Sequence, residues 1–310
     1  MPALRRDSKV FVAGARGLVG SAIVRSLLAR GYSNILVPTR EQLDLTNQVE
    51  TSTFLQAEKP DIVIDAAAVV GGIQANRSRP AEFIGVNLQI QQNLIWGSHL
   101  AGVPRFLFLG SSCMYPRDTS QPIPESAVLT GPLEPTNAPY AVAKIAGAML
   151  CRSISDQFGR EYFTVVPPNI YGPQDNFDPE SSHVMAAMIR RFHENLPHTN
   201  VTCWGTGMPK REFLYVDDAA DACLHLLSLD VVPSVVNIGT GRSVSILELA
   251  QRVQAVTGHL GTIQWDTSKP DGFPEKTNDV TLLTSLGWAP KTPLTNGIRE
   301  TYNWFLENGK

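Results

Sequence analysis

The sequence predicts an α/β protein: a doubly wound parallel sheet with a smaller, discontinuous C-terminal substrate-binding lobe. Three observations carry this. Short, unbroken apolar runs suited to strands buried on both faces alternate with stretches of helical periodicity through the first half of the chain. A glycine-rich turn follows the first such run and opens a helix. Beyond Val166 the alternation loosens, with Pro, Gly and Asn frequent and helices short. The 310 residues are 43% apolar, enough for a core that needs no staples, and a formal charge of −3 leaves no basic footprint for nucleic acid. Cys113, Cys151, Cys203 and Cys223 show no CxxC pairing, so neither a metal site nor a disulfide framework is indicated. Met1 to Lys9 is polar, with Arg5 and Arg6 and no signal-peptide core, and no run reaches membrane length. These features predict a soluble, cytoplasmic chain.

Lys9 to Ala13 reads as a buried parallel strand. It runs into Gly14-Ala15-Arg16-Gly17-Leu18-Val19-Gly20, behind which Val19, Ile23 and Leu27 keep helical spacing up to Gly31, a C′ glycine. Strand, glycine loop and helix together form a Rossmann-type phosphate site. Glycines let the backbone approach a pyrophosphate, whose charge meets the helix N-terminus. Asn34 to Val37 is the second strand. Sites that prefer NAD place a carboxylate near its end, but here Thr39-Arg40 stand there, with Arg16 in the glycine loop. Two guanidiniums suit a 2′-phosphate, hence NADP(H). Leu43-Asp44-Leu45 line the adenine pocket, with Asp44 accepting from the base amino group. Asp61 to Ala68 is another strand, and Ala66 lets the cofactor lie against the backbone.

Phe83 to His99 is helical. Phe106 to Leu109, a buried strand, leads into Gly110-Ser111-Ser112-Cys113-Met114-Tyr115-Pro116. Leu109, Gly110 and Ser112 join the cofactor set. Pro139-Tyr140-Ala141-Val142-Ala143-Lys144 opens the next helix, so Tyr140 and Lys144 sit one turn apart on one face. A phenol titrates near ~10 in water. An ammonium about 4 Å away at an effective dielectric of ~20 is worth roughly 4 kcal/mol, which draws the phenol toward proton exchange near neutrality. Ser111 or Ser112 would hydrogen-bond the same substrate oxygen. The arrangement suits proton delivery to a carbonyl being reduced. Right-handed crossovers bring Gly14, Ala66, Ser111 and Tyr140 to one sheet edge. Ala141, Ala143, Ala146, Gly147 and Ala148 predict close helix packing, either a homodimer through helices 83–99 and 140–158 or a tight intrachain contact.

Tyr162 to Val166 is a further strand. Pro167-Pro168-Asn169-Ile170-Tyr171-Gly172-Pro173 follows, with Pro167, Asn169 and Ile170 assigned to the cofactor. We expect residues 1–166 to form the NADP-binding domain, rejoined by parts of 212–240, and residues 167–310 to form mainly the substrate lobe. Ser181-Ser182-His183 reads as a helix start. His183, Ala187 and Arg191 then share a face toward a cleft, and Val184, Met188 and Phe192 an apolar stripe. Trp204, Arg191, Arg211 and the loop from Ser268 to Lys276, with Asp271, suit a base stacked on an aromatic and a diphosphate held by cations. The plainer reading is a solvated loop and a core tryptophan.

The pieces GARGLVGSAI, AAAVVGGI, LFLGSSCMYP, YAVAK, NIYGPQDNF, SSHV…RRFHE, WGTG…REFLYVDD and SKPDG resemble the extended short-chain dehydrogenases/reductases acting on nucleotide sugars, over nearly the whole chain. GSSCMYP and SKPDG point to the branch that forms GDP-L-fucose. The resemblance implies an NADPH-dependent enzyme that epimerises C3 and C5 of GDP-4-dehydro-6-deoxy-D-mannose and then reduces C4. It implies Tyr140 and Lys144 as proton donor and partner, and Ser111 as the group polarising the C4 oxygen. Cys113 would be the base at C3 and C5, and His183 the opposite-face acid, in contact with the cofactor. Inversion α to a carbonyl needs one such group on each side of the carbon. A basic Cys113 would draw on His183, Lys144 or the nicotinamide. Arg191, Trp204, Arg211, Asp271 and Lys276 would bind the GDP-sugar. The rival readings are another nucleotide-sugar enzyme, either a simple 4-epimerase or a 4,6-dehydratase, and a non-catalytic sensor. The dehydratases carry Thr-Asp-Glu where this chain has Ser112-Cys113-Met114, so they lack a cysteine base. A non-catalytic NADP-sensing protein would have lost Tyr140 or Lys144.

Overall fold

The computed structural model describes residues 3–269 and 271–309. Met1 and Pro2 of the polar start, Pro270 of the 268–276 loop and Lys310 lie outside the described residues.

The first half alternates as β1 (Val10–Ala13), α1 (Leu18–Ala29), β2 (Ile35–Leu36), α2 (Gln48–Glu58), β3 (Ile62–Asp65), α3 (Ile73–Ser78), α4 (Pro80–Leu100), β4 (Arg105–Leu109), α5 (Ala138–Phe158) and β5 (Glu161–Val166). The second half follows as β6 (Asn169–Tyr171), α6 (Val184–Glu194), β7 (Val201–Trp204), β8 (Lys210–Tyr215), α7 (Val216–Ser228), β9 (Val235–Asn237), β10 (Ser243–Ser245), α8 (Ile246–Thr257), β11 (Ile263–Asp266), β12 (Glu275–Lys276), α9 (Thr281–Ser285) and α10 (Leu294–Asn308).

Six strands form a parallel sheet in the order β2-β1-β3-β4-β5-β9, so all of them end at the same edge. The central strands are buried on both faces, which is why they read as unbroken apolar runs. The second strand is shorter than its sequence suggests: only Ile35 and Leu36 pair, at the half-exposed sheet margin, and Pro38 prevents an extension. On one face Ile23 and Leu27 of α1 pack with Leu224 and Leu227 of α7. On the other Leu94 of α4 and Ile145 of α5 cover Phe106 and Phe108. The chain thus returns from residue 216 to 237 to add α7 and β9 to this layer.

The small residues of α5 are spent within the chain. A Cβ on Gly147 would stand 2.5 Å from the Phe108 ring, and Gln91 of α4 donates Nε2 to the Ala143 carbonyl at 2.6 Å. Ala141, Ala143 and Ala148 are likewise buried here. They let α5 lie close on the sheet and α4, which is the intrachain alternative. The smaller lobe joins β8 with β6, β10 and β12, and pairs β7 with β11. Its core is built from Met185, Ile189, Phe192, Leu249, Ile298 and Phe305 of α6, α8 and α10.

Candidate active site

The glycine loop after β1 is shaped by two positions. Gly14 has φ +74°, and a Cβ there would meet the Ala66 carbonyl at 2.6 Å. A Cβ on Gly20 would lie 2.1 Å from the Gly14 oxygen, so α1 can start this close to β1 only with glycine there. Gly17 caps α1 and no side chain bonds its first turn. The backbone N–H groups there suit a pyrophosphate. Ala15, Leu18 and Val19 pack their side chains on the core and offer the cofactor only backbone. Arg16 and Arg40 are both exposed, and both act on Glu41, lowering its carboxyl behind the larger effect of a hydrogen bond from Thr39. Two cations beside the glycine loop therefore act on one carboxylate. Asp44 is held by Thr46, whose N–H and hydroxyl donate to Oδ1 at 2.9 and 2.8 Å, and Leu45 is fixed by Asn93 bonding its carbonyl at 2.9 Å. The glycine cradle and the paired guanidiniums fit a phosphorylated dinucleotide.

Across the sheet edge, Ser112 N–H donates to the Pro167 carbonyl at 3.1 Å, tying the loop after β4 to the one after β5. Gly110 is tightly enclosed: a Cβ would meet Met114 Sδ and Thr164 Cγ2, each at 3.0 Å, so those side chains would have to give. Asn169 spends its amide on the Glu212 carbonyl at 2.9 Å, and Ile170 packs on the core. Ser111 caps the turn that follows, its Oγ accepting from Cys113 N–H at 3.2 Å. Cys113 is half-buried in that turn, not sealed in the core, and Asn137 donates Nδ2 to its sulfur at 3.2 Å.

Lys144 corrects the expectation drawn from helical spacing. Its Nζ donates to the Leu109 carbonyl at 2.7 Å and lies 5.9 Å from the Tyr140 ring centroid. The side chain passes the ring to the end of β4, so the ammonium is bonded to that carbonyl and not to the phenol oxygen. Burial raises Tyr140 above its ordinary range, a Cys113 thiolate would add to that, and Ser111 pulls it back by hydrogen bonding. Tyr140 is thus held protonated, as a donor should be. Burial lowers the Lys144 ammonium to about 8, and Asp65 opposes that shift. Arg211 and Lys276, register partners on β8 and β12, also lie near Cys113: burial lowers both, and a Cys113 thiolate would oppose that shift.

His183 sits at the N-cap of α6, one residue before the helix, with no side-chain cap. The residue is exposed, yet the surrounding protein desolvates the imidazole enough to lower its pKa. The Gly71-Gly72 pair makes this placement possible. Gly72 N–H donates to the Ser181 carbonyl at 3.0 Å, and a Cβ on Gly72 would stand 2.8 Å from the Ser182 oxygen. Val184 is half-buried, and the stripe also recruits Met185 and Ile189.

Trp204 is 64% exposed, so it is not a core residue. Its ring lies 6.0 Å from the Arg191 guanidinium and 5.9 Å from Lys269 Nζ. Arg191 also donates to the Thr202 carbonyl at 2.8 Å. Asp271 is clipped to the same turn, accepting from Thr206 N–H at 2.8 Å and Thr206 Oγ1 at 2.6 Å. Arg211 donates to the Phe273 carbonyl at 2.5 Å, anchoring the far end of that loop. The structure therefore gathers Ser111, Cys113, Tyr140, Arg211 and Lys276 at one place, and Arg191, Trp204 and Asp271 at a second. Sequence reasoning missed Asn137 and Asp65. Asp65 was visible as a charged residue closing an apolar strand; Asn137, in a polar loop, left no signal.

A family model described as the NAD dependent epimerase/dehydratase family matches residues 10–239. The chain is 53% identical over 305 residues to GDP-L-fucose synthase 1 of Arabidopsis thaliana, an alignment covering 98% of this chain and 94% of that protein. It is 48% identical over 313 residues to the GDP-L-fucose synthase of Escherichia coli K12, covering 97% of each. The crystal structure of a GDP-L-fucose synthetase from Naegleria fowleri bound to NADP superposes with a TM-score of 0.90 at 27% identity, covering 99% of this chain and 96% of that one.

Proposed function

The chain belongs to the NAD dependent epimerase/dehydratase family, and we propose that in GDP-L-fucose biosynthesis it performs two reactions at one site. It is an NADP(H)-dependent epimerase and reductase. Its substrate is GDP-4-dehydro-6-deoxy-D-mannose, epimerised at C3 and C5 and reduced at C4 to GDP-L-fucose. When bound at the glycine cradle with its 2′-phosphate toward Arg16 and Arg40, the reduced cofactor supplies the hydride for C4.

The chain's own residues supply the rest. Tyr140, held protonated by burial, gives its proton to the C4 oxygen, and Ser111 hydrogen-bonds that oxygen. Lys144 keeps positive charge below the phenol. For the epimerisations, the C4 carbonyl acidifies the protons on C3 and C5. At each carbon Cys113, as a thiolate, removes the proton and becomes a thiol while protonated His183 delivers a proton to the opposite face and becomes neutral; exchange with solvent restores both groups before the second inversion. Arg211 and Lys276 place two positive charges on the thiolate's side of the cleft. Trp204 and Arg191 hold the guanine and the diphosphate, and Asp271 fixes the Trp204 turn. We assign the NADP-binding domain to residues 1–166 with parts of 212–240, and the substrate lobe mainly to residues 167–310.

The observation that carries this reading is Cys113 with its amide donor and its two cations beside Tyr140. A reductase alone has no use for a thiol there. Two further assignments are ours. Val142, Met149 and Phe158 leave apolar surface exposed on α5, and Leu100 does so on α4, which supports a homodimer through these helices. Four unpaired cysteines support a reducing, cytoplasmic setting.

The test is turnover in deuterated water with NADPH and GDP-4-dehydro-6-deoxy-D-mannose. GDP-L-fucose labelled at C3 and C5 is expected. GDP-D-rhamnose formed without label would leave Tyr140 and Lys144 in place and remove Cys113 and His183 from their roles.

A further inference from the structure

The reaction scheme uses Lys144 but leaves an ionisable group beside it without a task. Asp65 ends β3 and is 0% exposed. Its Oδ1 accepts from Ala67 N–H at 3.0 Å, and its Oδ2 has no hydrogen-bond partner. Its register partner on β4 is Phe108. Paired residues on neighbouring parallel strands project to the same face of the sheet. Lys144 Nζ lies 4.6 Å from the Phe108 ring centroid on that face. Carboxylate and ammonium therefore share one dry compartment between the sheet and α5.

We propose that Asp65 is a positioning residue for the C4 reduction: its carboxylate, behind Lys144 on the sheet, holds the lysine as an ammonium beneath Tyr140. This rests on the role given to Lys144 above. Burial raises Asp65 to about 6 and lowers Lys144 to about 8, and each opposes the shift of the other. Between those values both are charged. The other titratable groups facing the pair are Tyr140 and Cys151 on α5, both raised by burial, and Cys113 beyond Tyr140; α4 contributes the neutral Gln91. Asp65 is thus the one negative charge among these groups at neutral pH that acts on Lys144.

As pH rises through the Lys144 value the ammonium is lost. Removing the Asp65 charge makes that loss come earlier. The experiment compares the pH profile of the reductive kcat, at saturating NADPH, for the enzyme and Asp65→Asn. The alkaline limb should move down by about one pH unit. KM for NADPH below the limb should stay within about twofold. A limb that stays in place, or a kcat lowered equally at every pH, overturns the proposal. Should Asp65→Asn fail to fold, carboxyl-13C aspartate NMR on the unaltered enzyme and on Lys144→Met replaces it. A buried aspartate titrating near 6 should shift upward in Lys144→Met, and an unchanged titration overturns the link. Full reductase activity in Lys144→Met would instead overturn the role of Lys144 itself.

Discussion

Asn137 points its side-chain amide at the Cys113 sulfur, 3.2 Å away, from the residue just ahead of α5. An N–H held there stays bonded to the sulfur while a proton is transferred, and a hydrogen bond to a charged acceptor is the stronger kind. The same helix start then carries Tyr140, so one short segment positions the acid of one reaction and supports the base of the other.

Asn137→Ala should therefore slow proton exchange at C3 and C5 by roughly tenfold, the worth of one hydrogen bond to a charged group, while the reduction of an already epimerised substrate changes little. Cys113→Ser should stop exchange and keep reduction. Deuterium incorporation followed by NMR reads both. Equal losses in exchange and reduction would return Asn137 to a packing role.

Gly72 offers a way to move His183 without touching it. Its Cβ would press on the Ser182 oxygen at 2.8 Å, so Gly72→Val must push the His183 loop out of the cleft. We expect epimerisation to fall by at least about tenfold, and by more than NADPH affinity does, measured by exchange and by cofactor fluorescence. A variant with normal exchange would show that His183 needs no such support.

The parallel sheet was legible because its strands are buried on both faces, and burial leaves a continuous apolar run from Val10 to Ala13 or Phe106 to Leu109. The glycine loop was legible for the same kind of reason: Gly20 has backbone where a side chain would go. What spacing could not convey was direction. Tyr140 and Lys144 are one turn apart, but whether an ammonium meets a phenol depends on a competing acceptor, and the Leu109 carbonyl comes from another strand. The small residues of α5 are ambiguous in the same way, since a second chain and Phe108 ask for the same side chains. Asn137 and Asp65 matter only through partners distant in sequence.

The cofactor preference rests on Arg16 and Arg40 flanking Glu41. Arg40→Asp should raise KM for NADPH by roughly tenfold or more and leave KM for NADH nearly unchanged, since charge-assisted hydrogen bonds to a phosphate are worth about 1.5–3 kcal/mol. Steady-state kinetics with both cofactors decide it. A parallel rise for the two would place Arg40 outside the 2′-phosphate site.

Asp175 lies in the loop between β6 and α6 that leads to His183, and its stability effect has a definite sign. The residue is 8% exposed; Oδ1 accepts from Asn176 N–H at 2.7 Å, while Oδ2 has no hydrogen-bond partner. Burial raises its carboxyl from 3.8 to about 7, against a smaller lowering by that N–H. Between those values the folded chain keeps a proton that the unfolded chain has released, so stability falls as pH rises through the window and the loss is complete above it. Raising the carboxyl from 3.8 to about 7 sets a ceiling of about 4 kcal/mol, of which relaxation should leave about 2. Asp175→Asn keeps the acceptor for Asn176 N–H and removes the charge. It should stabilise the fold by about 2 kcal/mol at alkaline pH and by nothing measurable near the unperturbed carboxylate value. Urea denaturation at the two pH values gives the comparison. A gain of equal size at both would mean that shape, and not charge, sets the cost of this buried carboxylate.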